Sequence, residues 1–141
     1  MNYAIKVAVS ETTAATLLSD VQAFSAQKTM YGGKHISVGD TIFVFASENE
    51  GGQGLIAKGI VTSAEAVPLR PDVERQTPRV NIVVKCTALA KRRLGRTELK
   101  GFRDWSDGRP ETELNFKFYR QATNKIVGIS DRTAAFLDGY F

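Results

Sequence analysis

The sequence predicts an α+β fold in which a small mixed β-barrel, or a strongly curved sheet, is flanked by helices. Apolar segments bounded by turn residues predict consecutive strands over 41–47, 55–67 and 80–89, the first with aromatics at alternate positions. Patterns typical of amphipathic helices occupy 11–27 and 131–140, near the two ends of the chain. Because the strands follow one another closely, we expect them to pair largely as hairpins, with the helices packed against the resulting sheet.

The first part of the chain is predicted to form a strand, a helix and a loop. Tyr3–Val9 combines a ring, aliphatic residues and one lysine, which favours a strand. Ser10 is a suitable N-cap for a helix over Glu11–Gln27. The glycine pair Gly32–Gly33 interrupts regular structure, so Thr29–His35 is expected to be a loop. The apolar face of the predicted helix comprises Ala14, Leu17, Leu18, Val21 and Phe24.

The central part is predicted to be a β-hairpin, a loop and a further strand. Thr41–Ser47 and Leu55–Val67 are the strands of the hairpin, and the glycine-rich Asn49–Gly54 is the turn between them. Arg70–Pro78 is polar and contains two prolines, which predicts a loop. A strand is then expected from Val80 towards Leu89, because β-branched residues dominate that segment.

The last third begins with a short predicted helix over Leu94–Phe102 and a turn-rich loop over Arg103–Pro110. Phe116 and Phe118 then alternate with Lys117, a pattern that predicts rings on a buried side and the cation on the opposite side.

The chain is predicted to finish with a strand and a capped helix. Asn124–Ile129 is rich in β-branched residues and is expected to be the last strand. Ser130 is a suitable N-cap for a helix over Asp131–Tyr140, in which Ala134 and Leu137 would face inward.

The composition is that of a folded domain. A length of 141 residues and a hydrophobic content of 43% fit a single domain over 1–141. We expect no membrane anchor and no signal peptide, because no apolar run approaches the roughly 20 residues that span a bilayer and no charged leader precedes an apolar block. The single cysteine, Cys86, excludes an internal disulfide and is expected in the core. A cytoplasmic location is the resulting expectation.

The net charge of +4 is distributed unevenly along the chain. Residues 85–132 carry 12 Lys and Arg against 6 Asp and Glu, whereas residues 1–84 carry 7 against 8. This asymmetry favours an anionic partner, although a solvated basic face without a ligand is the alternative. Asn115–Gln121 also places rings beside cations, which suits a nucleotide because bases stack on rings and phosphates attract cations.

Two parts of the sequence resemble a known family. Ser37–Ser47 opens with a Gly-Asp turn and continues as an aromatic strand, and the glycines Gly51–Gly52 lead into a second strand over Gly54–Val61. In Phe118–Ser130 an Arg-Gln pair precedes the last predicted strand and a serine-led helix. Both patterns resemble EVE domains, small modules of the PUA-like superfamily that are related to YTH and ASCH domains.

The resemblance covers about residues 3–137 and implies both a fold and a function. It implies a PUA-like barrel that binds a modified base in DNA or RNA without catalysis, with no cofactor and no metal. Related modules are often fused to restriction nucleases, so an effector enzyme encoded separately would be a further partner. The sequence departs from the family at Tyr3 and at Met30–Gly32, where a tryptophan is usual. It leaves the choice between DNA and RNA, and the oligomeric state, open.

A base-binding pocket needs at least two rings, polar groups for the base edge and cations for the phosphates. The predicted base-binding residues are Tyr31, Phe45, Ser47, Glu48, Asn49, Trp105, Tyr119 and Asn124. The predicted phosphate-binding residues are Arg92, Arg93, Lys117, Arg120 and Lys125.

Several of these residues have a purely structural alternative. Phe45 shares one side of its strand with Phe43, an arrangement that also suits the core. Ser47–Asn49 could serve only to start the hairpin turn. Trp105 is either a ring that closes over a base or an anchor for its loop.

Two other functions stay open at this point. One is a regulatory domain that binds a free nucleoside-like molecule on the same scaffold. The other is a hydrolase that uses the carboxylates of Asp104–Glu113. The second is disfavoured, because the chain has one histidine, one cysteine and no phosphate loop.

Overall fold

The structure, a computed structural model, is a closed β-barrel with helices on one side, described over residues 1–7, 21–48, 51–121 and 125–141. The strands are β1 (Asn2–Val7), β2 (Gln22–Met30), β3 (Thr41–Ala46), β4 (Gly54–Ala66), β5 (Arg79–Leu89) and β6 (Ile126–Ile129). The helices are α1 (Arg96–Leu99), α2 (Pro110–Asn115), which continues into a π-helical segment (Phe116–Gln121), and α3 (Asp131–Asp138). The predicted α+β barrel is therefore confirmed.

The barrel closes in the order β1-β3-β4-β5-β2-β6. Strands β3, β4 and β5 are successive antiparallel neighbours, as the central hairpin and the following strand predict. Strand β1 lies parallel to β3 and antiparallel to β6. Strand β2 closes the barrel, since it pairs antiparallel with β5 and parallel with β6. The sheet is thus mixed, because neighbours in the barrel are not always neighbours in sequence.

Two apolar layers stabilise the domain, one inside the barrel and one between the barrel and the helices. Ile5 and Val44 point into the barrel, whereas Ala4, Phe43 and Phe45 point outward under the helices. Because β1 and β3 are buried on both faces, their sequences are almost continuously apolar. The outer layer includes Phe45, Leu94, Leu99, Leu114, Phe118, Val127 and Leu137.

Helix α3 begins as the sequence predicts, and its cap also fixes α2. Ser130 Oγ accepts a hydrogen bond from the Thr133 amide at 3.1 Å. Glu113, near the end of α2, accepts from the Ser130 amide at 3.0 Å and from its hydroxyl at 2.7 Å. The start of α3 and the end of α2 are therefore held together, which positions the π-helical segment that follows α2.

The helix predicted over 11–27 is wrong in its last part. Residues 22–30 form β2, with Gln22 opposite Val84 and Phe24 opposite Ile82 on β5. Phe24 is buried inside the barrel while Ala23 and Ser25 are exposed, which is the two-residue period of a strand. Thr29 and Met30 belong to β2 and residues 33–35 form a 3₁₀ turn, so 29–35 is not a simple loop. The rest of the predicted helix, over 11–20, and the turn residues 49–50 lie outside the described residues.

The strand-like alternation predicted around Lys117 is also wrong. Pro110 occupies the first turn of α2, and the helix continues through 116–121 with π-type geometry. Phe118 is fully buried in the outer layer, whereas Phe116 is only half-buried. The helical turn separates these two rings, so they do not share one side.

The remaining predicted elements are found close to their expected bounds: the loop before β5, the short helix α1, the strand β6 and the helix α3. Cys86 is buried, as expected. None of the helices in the described part of the chain combines the length and the apolar character that crossing a membrane requires.

Candidate functional site

A cleft of about 550 Å³ lies beside the helices, where α1, the loop after it and the π-helical segment meet. A volume of this size is typical of a ligand pocket. Its lining residues are Arg96, Lys100, Arg103, Trp105, Asn115, Tyr119 and Arg120. Three of them, Trp105, Tyr119 and Arg120, are residues that the sequence predicts for the site.

Trp105 and Tyr119 give the cleft two aromatic walls. The Trp105 ring is 39% exposed, and the Arg120 guanidinium lies 4.8 Å from its centre. Tyr119 is half-buried, and its hydroxyl donates to the Glu48 carboxylate at 2.8 Å. Burial, followed by this hydrogen bond, raises the pKa of Tyr119 far above its ordinary value. Tyr119 therefore stays neutral and keeps one orientation.

Lys6 contacts the Tyr119 ring through a cation–π interaction. Its Nζ lies 4.4 Å from the ring centre and donates to the Phe118 carbonyl at 2.8 Å, and the residue is 1% exposed. Burial lowers the pKa of Lys6 to about 8, while the Glu48 carboxylate opposes this change and the Arg96 charge adds to it. Lys6 is still charged at neutral pH, and it does not line the cleft.

Asn115 is a polar residue in the lining of the cleft. It is buried, and its Nδ2 donates to the Phe102 carbonyl at 2.9 Å, which fixes the orientation of the amide. Among the described residues no donor reaches its Oδ1 atom. This oxygen is available to accept a hydrogen bond from a group in the cleft.

The cleft is strongly basic. Among the described residues its lining includes four cationic side chains, all on exposed residues, and no carboxylate. Arg96 and Lys100 belong to the first turn and the end of α1, and the Arg96 amide donates to Glu48. Positive charges around a concave surface raise the local concentration of anions.

A second group of rings borders the cleft through Trp105. Phe116 lies between Trp105, at 5.4 Å, and Tyr31, at 6.2 Å, measured between ring centres. Tyr31 is 37% exposed and has φ of 53°, an uncommon backbone conformation for a bulky residue. Its carbonyl accepts from the Gly128 amide at 3.1 Å, and a Cβ at position 128 would lie 2.4 Å from that oxygen. The glycine therefore permits the close approach that holds Tyr31 at the surface.

Two predicted base-binding residues lie in the core instead of in the cleft. Phe45 is fully buried, with its ring centre 4.9 Å from that of Phe118, so a base cannot reach it in this structure. Ser47 is also buried, and its backbone bonds connect the end of β3 to Val7 on β1 and to Gly52 in the turn. Both have the structural role that the sequence left open as an alternative. Asn49 and Asn124 lie outside the described residues.

Four of the predicted phosphate-binding residues lie outside the cleft lining. Lys117 donates to the Gly128 carbonyl at 2.6 Å and to Glu113 at 3.2 Å, so its charge is used within the domain. Arg92 donates to the Gly139 carbonyl at 2.8 Å, and Arg93 lies 3.6 Å from Glu98. Lys125 is half-buried.

The cleft contains four lining residues that the sequence analysis missed: Arg96, Lys100, Arg103 and Asn115. The basic composition of 85–132 was the available signal for the three cations. No local pattern distinguishes Asn115, because its role depends on the carbonyl of Phe102 in another segment.

Three of the four carboxylates of the hydrolase hypothesis stabilise local structure. Asp104 accepts from the Ser106 amide at 3.3 Å and Asp107 accepts from the Arg109 amide at 2.9 Å. Glu113 binds Ser130 and Lys117. Within the described ranges no group of three His, Cys, Asp or Glu side chains is placed to hold a metal ion.

No protein-family model matches this sequence, and no curated protein matches it significantly. Solved structures do match. The DUF55 domain of human thymocyte nuclear protein 1 aligns with a TM-score of 0.69 and 13% identity, covering 96% of this chain and 95% of that one. The chain has the PUA-like fold.

Two further structures support this assignment. Human THYN1 protein, solved in complex with 5-methylcytosine containing DNA, aligns with a TM-score of 0.67 and 14% identity over 96% of this chain and 94% of that one. An ASCH protein from Zymomonas mobilis, solved as a point mutant, aligns with a TM-score of 0.55 and 10% identity over 98% and 96%. The PUA-like fold that the sequence resemblance implies is thus confirmed.

Proposed function

We propose that this PUA-like domain binds nucleic acid without catalysing a reaction, and that it takes one modified base into the cleft between Trp105 and Tyr119. The observation that carries the proposal is the lining of the cleft, which combines two rings with four cations. Rings stack on the faces of bases, and cations attract the phosphates on either side.

The energetics of base capture agree with this lining. Extruding a base from a duplex costs a few kcal/mol, and stacking on an aromatic side chain returns about 1–3 kcal/mol per base. A methyl group on the base adds about 0.8 kcal/mol when it is buried. Asn115 Oδ1 gives the cleft an acceptor for an amino group on the edge of the base.

Two observations support a modified base and the absence of catalysis. A domain of the same fold, human THYN1 protein, was solved with 5-methylcytosine containing DNA. The described residues that line the cleft include no histidine, cysteine or carboxylate, and Tyr119 is held neutral. The lining therefore offers binding groups but no pair for general acid–base catalysis.

Fluorescence anisotropy with labelled oligonucleotides tests the proposal. Single-stranded and duplex probes carry cytosine, 5-methylcytosine, adenine or N6-methyladenine at one position. We expect Trp105→Ala to weaken binding of the preferred probe about 5- to 150-fold, the equivalent of one stacking interaction. Arg120→Gln is expected to weaken binding of all probes similarly and to reduce the dependence on salt.

Matched controls isolate the cleft. Arg93→Gln removes an exposed cation outside the cleft, and Val38→Ala removes an exposed apolar side chain before β3. The proposal is wrong if Trp105→Ala binds like Val38→Ala, or if affinity is indifferent to salt. If free nucleosides raise the melting temperature and oligonucleotides add nothing, the domain is instead a small-molecule-binding module.

A further inference from the structure

A second basic groove lies away from the cleft, between β2 and the loop that joins β4 to β5. Its volume is about 570 Å³. Four cations line it: Lys28 and Arg79 on neighbouring strands, and Arg70 and Arg75 in the loop. All four residues are exposed. In the described part of the chain, none of the four has a carboxylate within 4.0 Å.

The loop that carries two of these cations is tied into a fixed shape. Gln76 accepts from the Arg70 amide at 2.9 Å and donates to the carbonyls of Arg70 and Val73 at 2.5 and 2.8 Å. The Pro78 carbonyl accepts from the Thr29 amide at 3.1 Å and hydroxyl at 2.8 Å. The backbone of the loop is therefore closed on itself by Gln76 and attached to β2, which keeps Arg70 and Arg75 on the rim of the groove.

A β-bulge shapes the opposite wall of the groove. The pairing of β2 with β5 is interrupted between Phe24 and Gln27, and Ala26 has φ of 50°, in the left-handed region. The Ala26 amide donates to Asn81 Oδ1 at 2.6 Å, and its carbonyl accepts from Arg79 at 2.9 Å. Bulges re-aim groups near binding sites, and a non-glycine residue in this conformation is strained.

From this arrangement we infer that the groove binds backbone phosphates of the same nucleic acid strand whose base enters the cleft. This inference depends on the function proposed above. Four exposed cations around a concave polar surface, none of them ion-paired with a described carboxylate, fit phosphate groups. Asp72 and Glu74 belong to the same loop but do not line the groove.

Strand β2 and Tyr31, which follows it, lead from the groove towards the cleft. Lys28 lies in the groove, and Tyr31, three residues further along the chain, belongs to the ring cluster that borders the cleft. Three residues of a strand span about 10 Å, and the ring cluster continues from Tyr31 through Phe116 to Trp105 with ring centres 6.2 and 5.4 Å apart. A strand of nucleic acid that follows this route from the cleft to the groove must therefore extend about 20 Å, which is about six nucleotides at 3.4 Å each.

An oligonucleotide ladder tests this inference. The preferred base is placed in a trinucleotide, and the probe is then lengthened to about 12 nucleotides on the 5′ side only or on the 3′ side only. We expect affinity to rise sharply on one side only. The triple variant Lys28→Gln, Arg70→Gln, Arg75→Gln is expected to lose about tenfold in affinity for that long probe, with a salt slope smaller by about 2, and to bind the trinucleotide as the wild type does.

The controls separate this inference from the proposed function. Lys85→Gln removes an exposed cation from β5 outside the groove. The inference is overturned if the triple variant binds the long probe like Lys85→Gln, or if the trinucleotide suffers equally. It is also overturned if tripolyphosphate competes for the groove while probe length has no effect. If Trp105→Ala fails to change the binding of any probe, the proposed function fails and this inference fails with it.

Discussion

The buried lysine beneath Tyr119 makes the stability of this domain depend on pH in an unusual direction. Lys6 is 1% exposed, and its surroundings lower its pKa from 10.5 to about 8, chiefly through burial. Between these two values the unfolded chain holds a proton that the folded protein has released. Because stability rises with pH wherever the unfolded state binds more protons, Lys6 is least favourable to folding when it is charged, below about pH 8.

The size of the effect follows from the displacement of the pKa. Each pKa unit corresponds to about 1.4 kcal/mol, so the contribution of Lys6 to the free energy of unfolding should rise by about 2 kcal/mol from about pH 7 to about pH 10. Above that range the raised pKa of Tyr119 acts in the opposite direction, because only the unfolded tyrosine then ionises. Burial likewise raises the pKa of Cys86, so the wild-type curve alone mixes several groups.

The replacement Lys6→Met isolates the charge of the lysine, since methionine keeps an unbranched apolar side chain only one atom shorter and removes the charge. We expect the variant to be as stable as the wild type or more stable near about pH 7, because it no longer buries a charge. This advantage should shrink by about 2 kcal/mol by about pH 10.

Urea unfolding of both proteins at several pH values measures this difference, with Lys85→Met as an exposed control. A difference between wild type and Lys6→Met that is constant with pH would refute the reasoning, because it would mean that the lysine keeps its ordinary pKa in the folded protein.

Three other substitutions probe the fold around the site. Gly128→Ala should displace the Tyr31 backbone, because its Cβ would lie 2.4 Å from the Tyr31 carbonyl oxygen. Faster exchange of the amide at position 128 would measure the loss of its hydrogen bond to that oxygen, and exchange as slow as in the wild type would contradict the prediction. Phe118→Ala should lower the free energy of unfolding by about 3–5 kcal/mol in urea, and a loss under about 1 kcal/mol would mean that the outer layer is not tightly packed. Ser130→Ala should cost about 1 kcal/mol in the same assay through the lost cap on Thr133, and no change would show that Glu113 alone fixes the start of α3.

Much of the barrel could be predicted because the relevant signals are local. The continuously apolar Thr41–Ala46 and the largely apolar Gly54–Ala66, with glycines between them, specify a hairpin whatever the rest of the chain does. Ser130 specifies the start of α3 through its own hydroxyl. These signals operate within a few residues, and the structure confirms each of them.

Strand β2 could not be predicted in this way, because its partners are distant in sequence. Val21 and Phe24 continue the helical spacing of the preceding residues, which favoured a helix through position 27. In the structure Gln22–Met30 bridges β5 and β6 and closes the barrel. Pairing on both edges stabilises the strand more than local propensity stabilises a helix. The groove cations Lys28 and Arg79 lie side by side only because β2 pairs with β5. The net charge of each half of the sequence therefore gives no indication of the groove.

The cleft depends on the outer apolar layer in the same way. Phe118 is buried against Phe45, and this contact sets the rotation of the π-helical segment. That rotation places Tyr119 and Arg120 in the cleft and directs Lys117 to the Gly128 carbonyl on β6. The ring–cation pattern of the sequence identified the correct segment, but the packing decides which of its cations is available to a ligand. Arg120, which no described carboxylate pairs, is therefore the cation of this segment that we expect to contact phosphate.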